Sequence, residues 1–149
     1  MSIKIDYKKR YLRLAQHFST WSLDPNTKVG CVITDYAHTK MLSYGYNHIP
    51  AKLSYKQNEL LQNREEKHNA ITHAELDAIL KLGPTKDTNL RLYIYPILPC
   101  LKCMQMLIAF NNIIHIYLPK GHKIRNDLGH NAALRLTKDA GVLISEVEL

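Results

Sequence analysis

Two cysteines three residues apart could bind a metal ion or carry out redox chemistry. Cys100 and Cys103 follow Pro99 in the run Pro-Cys-Leu-Lys-Cys, and side chains at i and i+3 lie on one face of a helical turn. The run opens a predicted helix, whose positive dipole end favours thiolates, and thiolates bind zinc. Taken alone, this motif favours a metal site but leaves open a thioredoxin-like redox pair or a structural zinc site.

A histidine and a glutamate further upstream could complete a catalytic zinc site. His73 precedes Cys100 by 27 residues, and Glu75 lies two positions after His73 at the start of another predicted helix. One imidazole and two thiolates leave the fourth tetrahedral position open, as in catalytic zinc sites. If both helix starts meet at one ion, Glu75 reaches the zinc-bound water without binding the metal. This arrangement predicts that Glu75 is a general acid/base.

The combined order of these residues is more specific than either half. His-x-Glu followed by Pro-Cys-x-x-Cys is the signature of the zinc-dependent nucleobase deaminases. We therefore predict one catalytic Zn²⁺ per chain, with His73, Cys100 and Cys103 as ligands. In that chemistry Glu75 takes a proton from water and passes protons to the base, while hydroxide attacks C4 of a cytosine.

A non-catalytic, zinc-stabilised binding module is an alternative from another class. It would need a fourth protein ligand, for which Cys31 is the first candidate, followed by His68 and His115. Because Cys31 lies within an apolar, β-branched run, we interpret it as a small buried hydrophobic residue instead.

Helices and strands alternate around these motifs, and this order predicts how they are positioned. Periodicity and turn residues predict the following elements: a helix over Tyr7–Trp21, a hairpin of strands Val29–Thr34 and Met41–Tyr46, a short helix over Glu59–Glu66, a helix over His73–Leu82, a strand over Leu90–Tyr95, a helix over Cys100–Phe110, a strand over Ile113–Leu118, a helix over Asn131–Ala140 and a strand over Val142–Ile144. A mixed central sheet with helices on both faces is the simplest assembly of these elements.

Composition limits the class of protein. The 149 residues, 46% apolar and 22% charged, suit one globular domain spanning 1–149. No apolar run is long enough to cross a bilayer, and the N-terminus lacks the features of a signal peptide, so a soluble cytoplasmic protein is expected. Three cysteines argue against a disulfide framework. The net charge of +7 suits an anionic partner, either a phosphorylated small molecule or a nucleic acid, but equally a solvated basic surface.

Several further motifs carry a family resemblance. They are Asp-Pro-Asn-Thr-Lys-Val-Gly at 24–30, Gly-Tyr-Asn at 45–47, Arg-Glu-Glu-Lys-His at 64–68 ahead of His-Ala-Glu at 73–75, and Ala-Gly-Val at 140–142. With the zinc motif, they resemble the cytidine/deoxycytidylate deaminase superfamily, and within it the dCMP deaminases. The resemblance extends over most of the chain.

The resemblance implies a fold, a reaction and substrate contacts. The implied fold is a three-layer α/β/α sandwich around a mixed five-stranded sheet. The implied reaction is zinc-dependent hydrolysis of dCMP to dUMP and ammonia, in a homo-oligomer that is a dimer or a hexamer. It further implies that Asn47 contacts the sugar, that the backbone around Ala74 and Leu98 reads the pyrimidine, and that Lys28 contacts the phosphate.

Three departures from the family pattern bear on substrate and regulation. His48 replaces a glycine that usually follows the asparagine, and Asp77 replaces a frequent asparagine. Residues 50–63 lack the Gly-Cys-x-Asp-Asp-like stretch associated with nucleotide-regulated members. A deaminase acting on tRNA adenosine or on single-stranded DNA cytosine is the nearest alternative, although the Thr-Lys-Val-Gly and Gly-Tyr-Asn elements favour a free nucleotide. The riboflavin-pathway deaminases fit less well because their two cysteines are further apart.

Overall fold

The computed structural model describes residues 2–124 and 128–149, and within them the chain forms five strands and six α-helices. The strands are β1 (Gly30–Thr34), β2 (Met41–Tyr46), β3 (Leu90–Tyr95), β4 (Ile113–Pro119) and β5 (Leu143–Val147). The helices are α1 (Tyr7–Ser19), α2 (Gln57–Gln62), α3 (Arg64–Ala70), α4 (Ala74–Leu82), α5 (Leu101–Phe110) and α6 (Leu128–Asp139), with a 3₁₀ helix (Ala51–Lys56) before α2. None of the described helices is long and apolar enough to cross a membrane.

The five strands form one mixed sheet in the order β2-β1-β3-β4-β5. Strand β1 is antiparallel to both of its neighbours, β2 and β3, whereas β3, β4 and β5 run parallel to one another. Parallel neighbours require crossover connections, and helices α5 and α6 provide them. The predicted mixed five-stranded sheet is therefore confirmed.

Helices cover both faces of this sheet, because alternate side chains of each strand point to opposite sides. On one face, Val32, Tyr93 and Tyr117 pack against α1. On the other face, Ile33 and its neighbours pack against α4, α5 and α6, in a core that includes Ala78 from α4. The predicted three-layer α/β/α arrangement is confirmed. The two halves of the zinc motif, at His73–Glu75 and Pro99–Cys103, lie at the starts of α4 and α5 in the same layer.

Helix α1 begins where Asp6 caps it, since the Asp6 carboxylate accepts a hydrogen bond from the Lys9 amide at 3.1 Å. Its apolar stripe, which includes Leu12 and Ala15, is fully buried against the sheet. The helix ends at Ser19, so the predicted end at Trp21 is two residues too late. Trp21 lies beyond the helix and is 46% exposed.

The prediction of a single helix over Glu59–Glu66 is wrong. Helix α2 ends at Gln62 and α3 begins at Arg64, because Asn63 between them has an extended backbone (φ −105°, ψ 117°). The Asn63 side chain accepts a hydrogen bond from the Glu66 amide at 3.1 Å and so caps α3. An asparagine that caps a new helix competes with continuation of the preceding one. Helix α3 then ends at Ala70, three residues before His73.

A glycine in β2 brings α4 unusually close to the sheet. A Cβ atom at Gly45 would overlap the Ala74 carbonyl oxygen and would lie 2.6 Å from the Ala78 amide nitrogen. The Ser43 hydroxyl, two residues earlier in the strand, donates a hydrogen bond to the Ala78 carbonyl at 2.7 Å. This close contact fixes the start of α4, where His73 and Glu75 are located.

Candidate metal centre and active site

His73 is held by backbone contacts at the start of α4. It is the N-cap residue, with an extended backbone (φ −71°, ψ 152°), and its carbonyl accepts a hydrogen bond from the Asp77 amide at 3.0 Å. The preceding residue, Thr72, pairs with His48 through two backbone hydrogen bonds of 2.8 and 3.1 Å. The backbone on both sides of His73 is therefore fixed, which positions its side chain.

The two cysteines are positioned by the first turn of α5. Cys100 is the N-cap, and its sulfur accepts a hydrogen bond from the Cys103 amide at 3.5 Å. The Nδ1 atom of His73 lies 3.6 Å from Cys100 Sγ and 3.3 Å from Cys103 Sγ. The three potential ligand atoms all lie within 4.8 Å of one another. The structure thus brings together the three residues that the sequence predicts as metal ligands.

The two thiol groups have pKa values that are shifted in opposite directions. A hydrogen bond from Cys103, followed by one from His73, lowers the pKa of Cys100 to about 3. The pKa of Cys103 is raised, first because it shares a hydrogen bond with Cys100 and then because it is buried. The pair therefore holds one thiolate at neutral pH. Two sulfurs and one imidazole nitrogen at this spacing form a donor set that suits zinc.

Among the described residues, no fourth protein ligand joins this cluster. Cys31, fully buried as predicted, donates its thiol hydrogen bond to the Ala74 carbonyl at 3.1 Å. The ring of His115 contacts the Ser145 hydroxyl at 2.7 Å and lies beside Tyr117, on the α1 face of the sheet. A metal held by three protein ligands keeps an open position, as in catalytic zinc sites.

Glu75 lies beside the ligand cluster in the first turn of α4. Its side chain is only 3% exposed, and burial raises the pKa of the carboxyl group. The adjacent backbone, the charge of His73 and the Cys103 side chain oppose this rise in pKa. A buried carboxyl group beside the proposed metal ligands, and outside that set, can exchange protons with a molecule bound at the metal.

His73 and Glu75 line a cleft of about 510 Å³. This volume falls within the range of roughly 300–1,000 Å³ that is typical of small-molecule sites. Its walls combine apolar surface with polar side chains, and the lining residues include Asp24, Asn47, Arg64, Lys67, His68, His73, Ala74 and Glu75.

A comparison with known families identifies the chain at this point. The family model described as "Cytidine and deoxycytidylate deaminase zinc-binding region" matches residues 5–118. The chain belongs to this family of deaminases. The resemblance predicted from the sequence motifs is confirmed, and the chain is a hydrolytic deaminase.

Curated relatives and solved structures agree with this assignment. The deaminase is 38% identical over 141 residues to the "Probable deoxycytidylate deaminase" of Caenorhabditis elegans, covering 91% of this chain and 68% of the relative. It is 26% identical over 108 residues to the human "Deoxycytidylate deaminase", covering 70% of this chain and 60% of the relative. The dCMP deaminase of cyanophage S-TIM5, solved with dCMP and dUMP, has a TM-score of 0.74 at 19% identity, covering 98% of this chain and all of that one, and shows the same fold.

Only some of the residues predicted to contact the substrate of this deaminase line the cleft. Asn47 and Ala74 line the cleft, whereas Leu98 is buried and its neighbour Ile97 lines the cleft. The Lys28 ammonium donates a hydrogen bond to the Ser22 carbonyl and is not among the lining residues. Its contact with a phosphate stays a prediction.

Asn47 has a structural task in the wall of the cleft. Its side-chain oxygen accepts a hydrogen bond from the Val29 amide at 2.8 Å, and its side-chain nitrogen donates to the Thr27 carbonyl at 2.8 Å. These bonds join the exit of β2 to the loop before β1. Asn47 therefore shapes the surface on which a sugar contact is predicted.

Sequence reasoning missed an ion pair inside the cleft. Lys67 Nζ lies 3.0 Å from Asp24 Oδ1, and both side chains are almost fully buried. Burial alone would raise the pKa of Asp24, but hydrogen bonds from the Asn26 amide, Lys67 and the Thr27 amide lower it. The available signal was Lys67 in its charged motif, but its partner lies 43 residues away, so sequence spacing could not identify it.

Proposed function

We propose that this deaminase hydrolyses the 4-amino group of a cytosine nucleotide, converting dCMP and water to dUMP and ammonia. The observation that carries the proposal is the buried Glu75 carboxyl group beside the cluster of His73, Cys100 and Cys103, at one wall of a nucleotide-sized cleft. The names of the relatives support the choice of substrate.

In this proposal, His73 Nδ1 and the sulfurs of Cys100 and Cys103 hold one Zn²⁺ ion. When bound, zinc supplies a Lewis acid that lowers the pKa of a coordinated water toward neutrality. The hydrogen bonds that make Cys100 a thiolate prepare the ligand set for the ion. The extended N-cap backbones of His73 and Cys100 hold both ligands at helix starts, so little rearrangement is needed to receive it.

Glu75 moves the protons of the reaction. Its carboxylate oxygen takes a proton from the attacking water and delivers it to ring N3 as C4 becomes tetrahedral. A second proton, from the hydroxyl group now on C4, passes through the same carboxyl group to the exocyclic nitrogen, so the C4 carbonyl forms, the C4–N bond breaks and ammonia leaves. Because Glu75 is 3% exposed, its proton exchanges with the bound substrate in preference to bulk water.

The remaining proposed contacts position the nucleotide. Asn47 contacts the sugar, and the backbone around Ala74 and Leu98 reads the pyrimidine. Ala74 is suited to this because the Cys31 thiol and the approach of Gly45 fix its backbone from the sheet side. The resemblance also implies a homo-oligomer, either dimer or hexamer, which stays a prediction.

A substrate panel with detection of released ammonia tests the proposal. The zinc-loaded protein is assayed with dCMP, deoxycytidine, free cytosine, an oligodeoxycytidylate and tRNA. We expect dCMP to have the highest kcat/KM. Faster turnover of the oligonucleotide or tRNA would favour a polynucleotide deaminase. Zinc binding without turnover of any substrate would favour the zinc-stabilised binding module.

A further inference from the structure

An arginine and a histidine on α3 face the cleft. Arg64 and His68 are four residues apart, so they lie on the same side of this helix, and both line the cavity that contains Glu75. Both side chains are exposed. They can therefore contact a small molecule in the cleft without first being uncovered.

The acidic groups of the same cleft are already engaged. The Asp24 carboxylate binds Lys67 at 3.0 Å and also accepts hydrogen bonds from the Asn26 and Thr27 amides, at 2.9 and 3.3 Å. Glu75 is buried beside the ligand cluster. Within the described part of the chain, neither Arg64 nor His68 has an ion-pair or hydrogen-bond partner for its side chain. The outer part of the cleft therefore carries uncompensated positive charge.

We propose that Arg64 and His68 bind the 5′-phosphate of the nucleotide whose base reaches His73, Cys100 and Cys103. This assignment rests on the proposed function of the site. A guanidinium group presents parallel N–H donors that match two phosphate oxygens, and an imidazole N–H adds a third donor. The Lys67–Asp24 pair assists indirectly, because it removes a negative charge that would repel the phosphate.

The phosphate could belong to a free nucleotide or to a polynucleotide backbone, and the proposal commits to the free monophosphate. The variants are R64Q, H68N and the double variant, with R13Q as the control. Arg13 is the same residue type on the exposed side of α1 and does not line the cleft. All variants are used zinc-loaded, and zinc content is checked by elemental analysis.

Calorimetric binding of dUMP and of deoxyuridine provides the main measurement, because these ligands differ only in the phosphate. We expect R64Q to weaken dUMP binding about tenfold and the double variant to weaken it further, since each removes hydrogen bonds to a charged group. Deoxyuridine binding, zinc content and kcat for dCMP should remain within about twofold, while KM for dCMP rises. R13Q should match the wild type.

Unchanged dUMP affinity in the double variant would overturn the phosphate site, as would an equal loss of dUMP and deoxyuridine affinity. Oligodeoxycytidylate turned over faster than dCMP, in a manner that depends on Arg64, would overturn the choice of a free monophosphate. If dUMP binding depends on Arg64 and His68 but no cytosine substrate is deaminated, the phosphate site stands and the proposed function fails.

Discussion

The imidazole Nε2 of His48 lies 3.0 Å from Asp77 Oδ1 and joins the exit of β2 to the first turn of α4. These residues are two departures from the family pattern, and the structure shows that they contact each other. The second Asp77 oxygen accepts hydrogen bonds from the Tyr46 amide at 3.1 Å and from Lys81 at 2.9 Å. The two substitutions therefore act as one unit, which ties α4 to the edge strand near His73.

A double-mutant cycle tests this coupling. We expect H48A and D77N each to lower the free energy of unfolding by about 1 kcal/mol, because each removes a hydrogen bond. The double variant should lose less than the sum, by about 0.5 kcal/mol or more. Urea unfolding of the zinc-loaded proteins measures the energies. H48A combined with D87N, at an exposed aspartate whose carboxylate accepts a hydrogen bond from the Thr85 hydroxyl, is the control and should be additive. Additive losses in H48A/D77N would show that the pair is not coupled.

Substitution of the buried carboxyl group separates metal binding from proton transfer. E75Q should retain one zinc per chain, because Glu75 is not a ligand, yet lose activity by about a hundredfold or more. Elemental analysis and ammonia release are the two measurements. E59Q, at an exposed position in α2, should leave both unchanged. A normal rate of dCMP deamination by E75Q would refute the role assigned to Glu75.

The cysteines allow a matched test of the ligand set. C103A should lose zinc and activity together, because it removes one of three ligands. C31A removes a thiol that donates to the Ala74 carbonyl, so it should lower stability by about 1 kcal/mol while retaining one zinc per chain. Zinc content after dialysis distinguishes the two outcomes. Retention of zinc by C103A, or its loss from folded C31A, would contradict the assignment.

The sequence predicted those features that depend on local order. The proposed metal ligands and Glu75 lie at helix starts, where short motifs specify both chemistry and backbone. The strands could be predicted from apolar runs bounded by turns. The helix break at Asn63 was harder to predict. Whether an asparagine caps a new helix depends on what the preceding leucines, Leu60 and Leu61, pack against. The His48–Asp77 contact and the Lys67–Asp24 pair join residues 29 and 43 positions apart. Such contacts are set by how α3, α4 and β2 pack, which residue spacing does not specify.

A histidine on the opposite face of the sheet should make stability depend on pH. Burial, followed by the charges of Arg91, Lys8 and His38, lowers the pKa of His115 to about 4. In the unfolded chain the histidine pKa is about 6.5, so the native state prefers the neutral ring. This contribution is complete above about pH 6.5 and is lost as the pH falls toward 4.

H115Q removes that titration but keeps an amide that can bond the neighbouring hydroxyl groups. Melting temperatures of the wild type and H115Q between pH 4.5 and 7.5 should converge, or cross, as the pH falls, because only the wild type loses this contribution. Zinc release in acid affects both proteins, so the difference between them isolates His115. A difference that does not change with pH would contradict the prediction.

Two glycines on opposite faces of the sheet test whether the position of α4 controls the metal site. A Cβ atom at Gly45 would overlap the backbone of α4, and one at Gly30 would overlap the backbone of α1 at Ala15. G45A and G30A should each destabilise the protein by about 1–3 kcal/mol or more, because a helix must move away from its strand. Only α4 begins beside His73 and carries Glu75, so G45A should also weaken zinc binding and lower kcat. G30A should bind zinc normally wherever it is folded. Competition with a colorimetric chelator measures the zinc affinity of both variants at a temperature below either melting transition. Equal zinc affinities would show that the contact between β2 and α4 fixes stability without fixing the geometry of the metal ligands.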